Sequence, residues 1–140
     1  GKVWGLDFPV ITIGDMVDAQ VALIDSLGIR QLFSVVGGSM GGMQGLEWAV
    51  MYPHRLGRLV AMATTTAASA QQIGWSLVGR RAIANDPNFA GGDYYGRAPG
   101  CGPHAGLAVA RSVAQITYRS ESAYAERFGR ARVAARGDLR

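Results

Sequence analysis

The run Val35-Val36-Gly37-Gly38-Ser39-Met40-Gly41-Gly42 constrains this chain more than any other stretch. The mostly apolar residues Leu32 to Val36 lead into it, and a helix-like run from Met43 to Met51 leaves it. Within it, Gly37, Ser39 and Gly41 form the pattern G-x-S-x-G. Between a strand and a helix, that pattern makes a sharp turn that holds its serine in a strained backbone conformation. Strand and helix backbones nearly collide there, so the positions two before and two after the serine have to be small. Gly37 and Gly41 are expected to meet that need, with Gly38 and Gly42 as further slack. Oγ of Ser39 is then expected to stand exposed at a helix N-terminus. The Met40 N–H would face the oxyanion that forms when a serine attacks a carbonyl. By itself the motif also fits a glycine-rich turn that cradles a phosphate. No lysine follows the glycines, which argues against a P-loop.

The surrounding pattern supplies the strand and the helix. A first helix is expected from about Asp15 to Leu27, where Met16, Leu23 and Leu27, with Val17, Val21 and Ile24, recur at helical spacing. Gly28 is its natural stop. Gln31 to Val36 reads as a strand buried on both faces, and Tyr52-Pro53 ends the second helix. Leu59 to Ala63 reads as a second buried strand, making a strand–helix–strand unit with parallel strands and a right-handed crossover. In such sheets, sites form at the carboxyl ends of the strands. Beyond Thr64-Thr65-Thr66 the texture changes to helices over Ser69–Ala84, Gly106–Tyr118 and Ser120–Phe128, separated by a loop rich in glycine and aromatic residues. The fold class read from this order is α/β: residues 1–66 as part of a parallel-sheet core with the serine turn, and residues 67–140 as a helical lid segment.

Composition narrows the function classes. Hydrophobic residues make up 49% of the chain and charged residues 17%, as in a folded domain. The net charge is +4, with Arg127, Arg130, Arg132, Arg136 and Arg140 crowding the C-terminal end. Without interleaved aromatics or a binding motif, that end reads as solvated, and no nucleic-acid partner is expected. Cys101 is the single cysteine, so no internal disulfide can form and a reducing, cytoplasmic setting fits. No apolar run reaches membrane-spanning length, so no membrane partner is expected. The chain opens at Gly1 without an initiator methionine and reads as a fragment.

Several blocks, in order, resemble the homoserine O-acetyltransferase family of the α/β-hydrolase group. They are Phe8-Pro9-Val10-Ile11-Thr12-Ile13 with Asp15-Met16-Val17, then Gly37 to Gln44, Leu46-Glu47-Trp48-Ala49 and Tyr52-Pro53. Asp86-Pro87, Gly91 to Gly96, and Gly106 to Arg111 running on to Ile116-Thr117-Tyr118 continue the match. The resemblance spans about Phe8 to Arg130, and the related O-succinyltransferases share most of it.

The resemblance implies a partial α/β-hydrolase fold and ping-pong acyl transfer from acetyl-CoA to the hydroxyl of L-homoserine, on the way to methionine. Ser39 would be the nucleophile and the Met40 backbone N–H one half of the oxyanion hole. Arg111 matches a lid arginine that holds the homoserine carboxylate, as a guanidinium fork can, and Tyr118 matches a pocket tyrosine. Acetyl-CoA enters as a substrate; no cofactor or metal is implied. A homodimer through the lid helices is implied as well.

Against the family pattern, the catalytic Asp and His fall downstream of this chain, and a second oxyanion donor falls upstream. His54 and His104 read as surface residues and Asp93 as a turn residue. The chain alone is therefore expected to be nearly inert. The match fades after Arg130, so residues 131–140 read as foreign to the family. Rival readings are an O-succinyltransferase or esterase of the same fold, or a non-catalytic dimerisation relic.

Overall fold

The computed structural model describes residues 3–130. Arg132, Arg136 and Arg140 of the basic end, and the stretch 131–140 as a whole, lie outside the described residues. The chain divides into two compact units: Asp7–Ser69, and the residues from Ala70 onward together with those up to Leu6.

The first unit opens with helix α1, Ile13–Ser26. It begins two residues before the expected Asp15 because Thr12 caps it. Thr12 Oγ1 accepts the Asp15 N–H at 3.1 Å, and the Asp15 carboxylate accepts the Thr12 N–H at 2.7 Å. This reciprocal capping box satisfies two N–H groups that the helix cannot. The Thr12 hydroxyl and N–H hold the Asp15 carboxyl below the usual carboxylate range. At the other end Gly28, at φ 70°, donates to Asp25 O while Ile29 donates to Ile24 O, both at 2.9 Å. This is a Schellman stop at the expected glycine.

Strands β1, Val35–Gly38, and β2, Leu59–Met62, flank helix α2, Met40–Met51. They pair in parallel as expected, from Val35 opposite Leu59 to Gly38 opposite Met62. Two boundaries differ from expectation. The strand lies later than Gln31–Val36, because regular pairing runs on through Gly38, and upstream only Leu32 bridges to Leu56. The helix starts at Met40, not Met43, because it springs directly from the serine turn.

Gly42, Gly45 and Trp48 are the buried residues of α2 and recur every third position, so they share one face. The glycines let the helix lie close on the strands: a Cβ on Gly45 would meet Leu59 Cδ1 at 2.7 Å. Trp48 then reaches Val17 and Ile24 of α1, with Val21, Leu32, Val35, Tyr52 and Leu56 around them. A polar chain locks α1 to α2: Trp48 Nε1 donates to Gln20 Oε1 at 2.7 Å, and Gln20 Nε2 donates to Gln44 Oε1.

Two burial expectations are corrected. Leu23 and Leu27 are 58% and 63% exposed, since the apolar residues of α1 that join the core around Trp48 are Val17, Val21 and Ile24. The strands are not buried on both faces: Val36 is 62% exposed, because α2 covers one face only among the described residues.

In the second unit, helix α3 (Ala70–Ala84) packs on helix α4 (His104–Thr117), and a short helix α5 (Glu121–Phe128) follows. A Cβ on Gly106 would come within 2.3 Å of Ala82 O, so α3 and α4 touch backbone to backbone there. Asp86, between them, is 7% exposed. Its carboxylate accepts N–H groups from Gly106 at 2.7 Å and Asn88 at 2.9 Å. It thus caps α4, whose preceding residue Pro103 offers no side-chain bond, and α4 starts two residues before the expected Gly106. Those N–H donors hold the Asp86 carboxyl below the usual carboxylate range.

Candidate active site

Ser39 stands between the last residue of β1 and the first of α2, at the carboxyl end of the sheet. Its backbone sits at φ 55°, ψ −121°, a region that L-residues rarely occupy. That is the strained turn anticipated from G-x-S-x-G. Both sides of the residue are tied down. Its N–H donates to Met62 O at 3.0 Å, at the end of β2. Its carbonyl accepts from Gly42 N–H at 3.0 Å, from Met43 N–H at 3.2 Å and from the Thr64 hydroxyl at 2.8 Å. The side chain, by contrast, is exposed and makes no capping bond. No described group accepts the Met40 N–H, the first of the helix, as is usual for the unpaired N–H groups of a first turn.

The glycines divide the work differently from expectation. A Cβ on Gly37 would lie 2.1 Å from Gly41 O, which is the strand–helix collision in its plainest form. Around Gly41 itself nothing lies within 4 Å of a Cβ, so its carbonyl matters to the crowding and its missing side chain does not. Gly42 is not slack: a Cβ there would fall 2.7 Å from Cβ and Cγ2 of Thr64. Gly38 has ordinary room, with Met62 O at 3.9 Å.

Arg111 and Tyr118 belong to the second unit. Arg111 is an exposed residue of α4, and no carboxylate pairs with it among the described residues. Tyr118 is the residue that ends α4 and is 82% exposed. His54 and His104 are exposed. His54 lies in the turn that follows the far end of α2, a helix about 18 Å long with Ser39 at its other end, so it is not placed to act as the base. Asp93 is exposed and closes the short Ala90–Gly92 turn. Among the described residues no cluster of His, Cys, Asp or Glu is suited to hold a metal, and no helix is long and apolar enough to cross a membrane.

Sequence reasoning noticed Thr64 only as the start of a change in texture. The signal that would have found it is its place two residues past β2, at the same carboxyl edge of the sheet that Ser39 occupies one residue past β1.

Comparison with known proteins agrees with this geometry. Residues 4–136 match the family model described as alpha/beta hydrolase fold. A homoserine O-acetyltransferase of Bradyrhizobium diazoefficiens is 57% identical over 93% of this chain, which covers 32% of that protein. The crystal structure of homoserine O-acetyltransferase from Bacillus anthracis superposes with a TM-score of 0.85 at 30% identity, over 95% of this chain and 35% of that one. Esterase E22 superposes with a TM-score of 0.81 at 32% identity, over 100% of this chain and 39% of that one. The chain spans about a quarter to a third of the length of the curated relatives it matches. A serine held in a strained turn between parallel strand and helix, matched along nearly the whole chain, places this chain in the α/β-hydrolase fold family.

Proposed function

We propose that the protein is an O-acyltransferase that moves an acetyl group from acetyl-CoA to the hydroxyl of L-homoserine through an acyl-enzyme on Ser39. One observation carries the reading: the strained Ser39, with its hydroxyl free and the Met40 N–H unbonded beside it. The names of the relatives supply the substrates.

In the first half-reaction Ser39 Oγ attacks the thioester carbonyl and loses its proton to a base. The carbonyl electron pair moves onto oxygen, where the Met40 N–H and the positive end of α2 stabilise it. Collapse expels the CoA thiolate, which takes up a proton. In the second half, the homoserine hydroxyl gives its proton to the base and attacks the acetyl-serine carbonyl. A second oxyanion forms against the same donors, and its collapse releases acetyl-homoserine and Ser39, whose oxygen takes the proton back. Asp and His partners supplied outside residues 1–140 complete the triad, so this chain by itself turns over very slowly. Arg111 receives the homoserine carboxylate, and Tyr118 lines the acceptor pocket. The second unit serves as a lid, its exposed Val109 and Ile116, on one face of α4, fit pairing between two copies, and the enzyme works in the cytoplasm.

The test is mass spectrometry of the complete protein after exposure to acetyl-CoA. A single added acetyl group on the peptide containing Ser39, discharged by homoserine and absent from Ser39→Ala, is expected. Acetylation that persists in Ser39→Ala would defeat the reading. A second reading, ester hydrolysis, is favoured by the esterases among the structural neighbours. It predicts discharge by water at the same rate with or without homoserine. Labelling by succinyl-CoA in preference to acetyl-CoA would instead move the enzyme to the O-succinyltransferases.

A further inference from the structure

The geometry points to Thr64 as a positioning residue for the oxyanion donor, a role that rests on the nucleophile reading of Ser39. The Thr64 hydroxyl donates to the Ser39 carbonyl at 2.8 Å, the shortest of the three bonds that carbonyl accepts. The same peptide unit carries the Met40 N–H on its opposite side. The peptide is planar and trans, so fixing the C=O fixes the direction of the N–H. A donor on the carbonyl also polarises the unit and strengthens its N–H as a donor. Thr64 therefore acts on the oxyanion hole from behind, without touching substrate.

Its placement requires unusual backbone. Ala63 lies at φ 47°, a left-handed value rare for a residue with a side chain, and this bend follows the end of β2 and precedes Thr64. Gly42 completes the fit, since any side chain there would displace Thr64 Cβ and Cγ2. Ser39 keeps its strained φ and ψ because neighbours hold it on both sides. Met62 holds the N–H side and Thr64 the carbonyl side.

A merely space-filling Thr64 would make a different prediction from a hydrogen-bonding one. Thr64→Val keeps the shape beside Gly42 and removes the hydroxyl. The Ser39 carbonyl still accepts its two helical bonds, so folding survives. In the complete protein, single-turnover acylation of Ser39 by p-nitrophenyl acetate is followed as nitrophenol release. Thr64→Val is expected to lower the maximal rate about tenfold, a fraction of the effect of deleting an oxyanion donor outright, and to leave the half-saturating concentration unchanged. Thr64→Ser should recover most of that loss. A Thr64→Val maximal rate within about twofold of the parent overturns the proposal, as does an equal loss in Val and Ser. If Thr64→Val does not fold, Thr64→Ala against Thr64→Ser makes the same comparison, and equal rates overturn it. Ser39→Ala is run alongside. If it releases nitrophenol as fast as the parent, the nucleophile reading has failed, and the clamp fails with it. If it is inert, the Thr64 result stands by itself.

Discussion

The carbonyl oxygen of Gly41 lies 2.1 Å from the point that a Cβ on Gly37 would occupy. No rotamer relieves that clash, because both partners are backbone. Gly37→Ala must therefore push β1 and α2 apart at the turn that holds Ser39. Overpacking typically costs about 1–3 kcal/mol, and a clash of backbone against Cβ belongs at the top of that range. Gly42→Ala meets the Thr64 side chain instead, which can give a little, and should lose less. Gly74→Ala in α3, with nothing within 4 Å, should gain about 0.5–1 kcal/mol from helix propensity. Urea unfolding of the three variants checks the order. A Gly37→Ala protein as stable as its parent would contradict it.

Trp48 is 2% exposed and gives its one polar hydrogen to Gln20. Trp48→Phe keeps much of the packing but strands Gln20 Oε1, which should lose about 1–2 kcal/mol. Trp48→Ala removes the centre of the core and should lose about 3–5 kcal/mol. The two are separable by chemical denaturation. A Trp48→Phe protein as stable as its parent would mean that the indole hydrogen bond contributes little, and equal losses in the two variants would mean that ring packing does.

Asp86 makes the second unit acid-sensitive. Its carboxyl is held below the ordinary value of 3.8, first by the Gly106 N–H and then by the Asn88 N–H. A folded-state value below the unfolded one means stability that is fully present above pH 3.8 and lost as the pH falls through the folded value. Helical circular dichroism is therefore expected to fall in that acid window. Asp86→Ala should begin less stable at neutral pH and show a flatter acid decline. An acid profile identical to the parent's would remove Asp86 from the cause.

Much of the first unit was legible because its signals are local. G-x-S-x-G after an apolar run names the serine turn, and Gly28 after an apolar helical row names a stop. The turn's second constraint was not legible. Gly42 and Thr64 are far apart in sequence, and their contact depends on the left-handed Ala63, which no propensity anticipates. Asp86 as the cap of α4 was hidden for the same reason, since its partner Gly106 lies 20 residues on. Burial was overread in β1 because apolar sequence shows that a face can be covered, not what covers it. Arg111 and Tyr118 were reached through resemblance alone, since an exposed helical arginine has no local signal of a ligand.

The start of α1 offers the most local test. Thr12 and Asp15 satisfy each other's N–H groups at the point where α1 begins, two residues ahead of its apolar pattern. Thr12→Ala removes the acceptor for the Asp15 N–H and also frees the Asp15 carboxylate from its strongest partner. The expected loss is about 1 kcal/mol, the usual worth of an N-cap side chain. Thr12→Ser keeps the oxygen and should keep nearly all of the stability. Asp15 adds a pH signature: its carboxyl is lowered first by the Thr12 hydroxyl and then by the Thr12 N–H. The contribution is complete above pH 3.8 and disappears as the pH falls through the lower folded value. Carboxyl titration of Asp15 by NMR in parent and Thr12→Ala should show the value rising toward the ordinary one in the variant. An unmoved titration would mean that the bond to Thr12 does not set it, and the helix start would then owe its stability to packing of Val17 against Trp48.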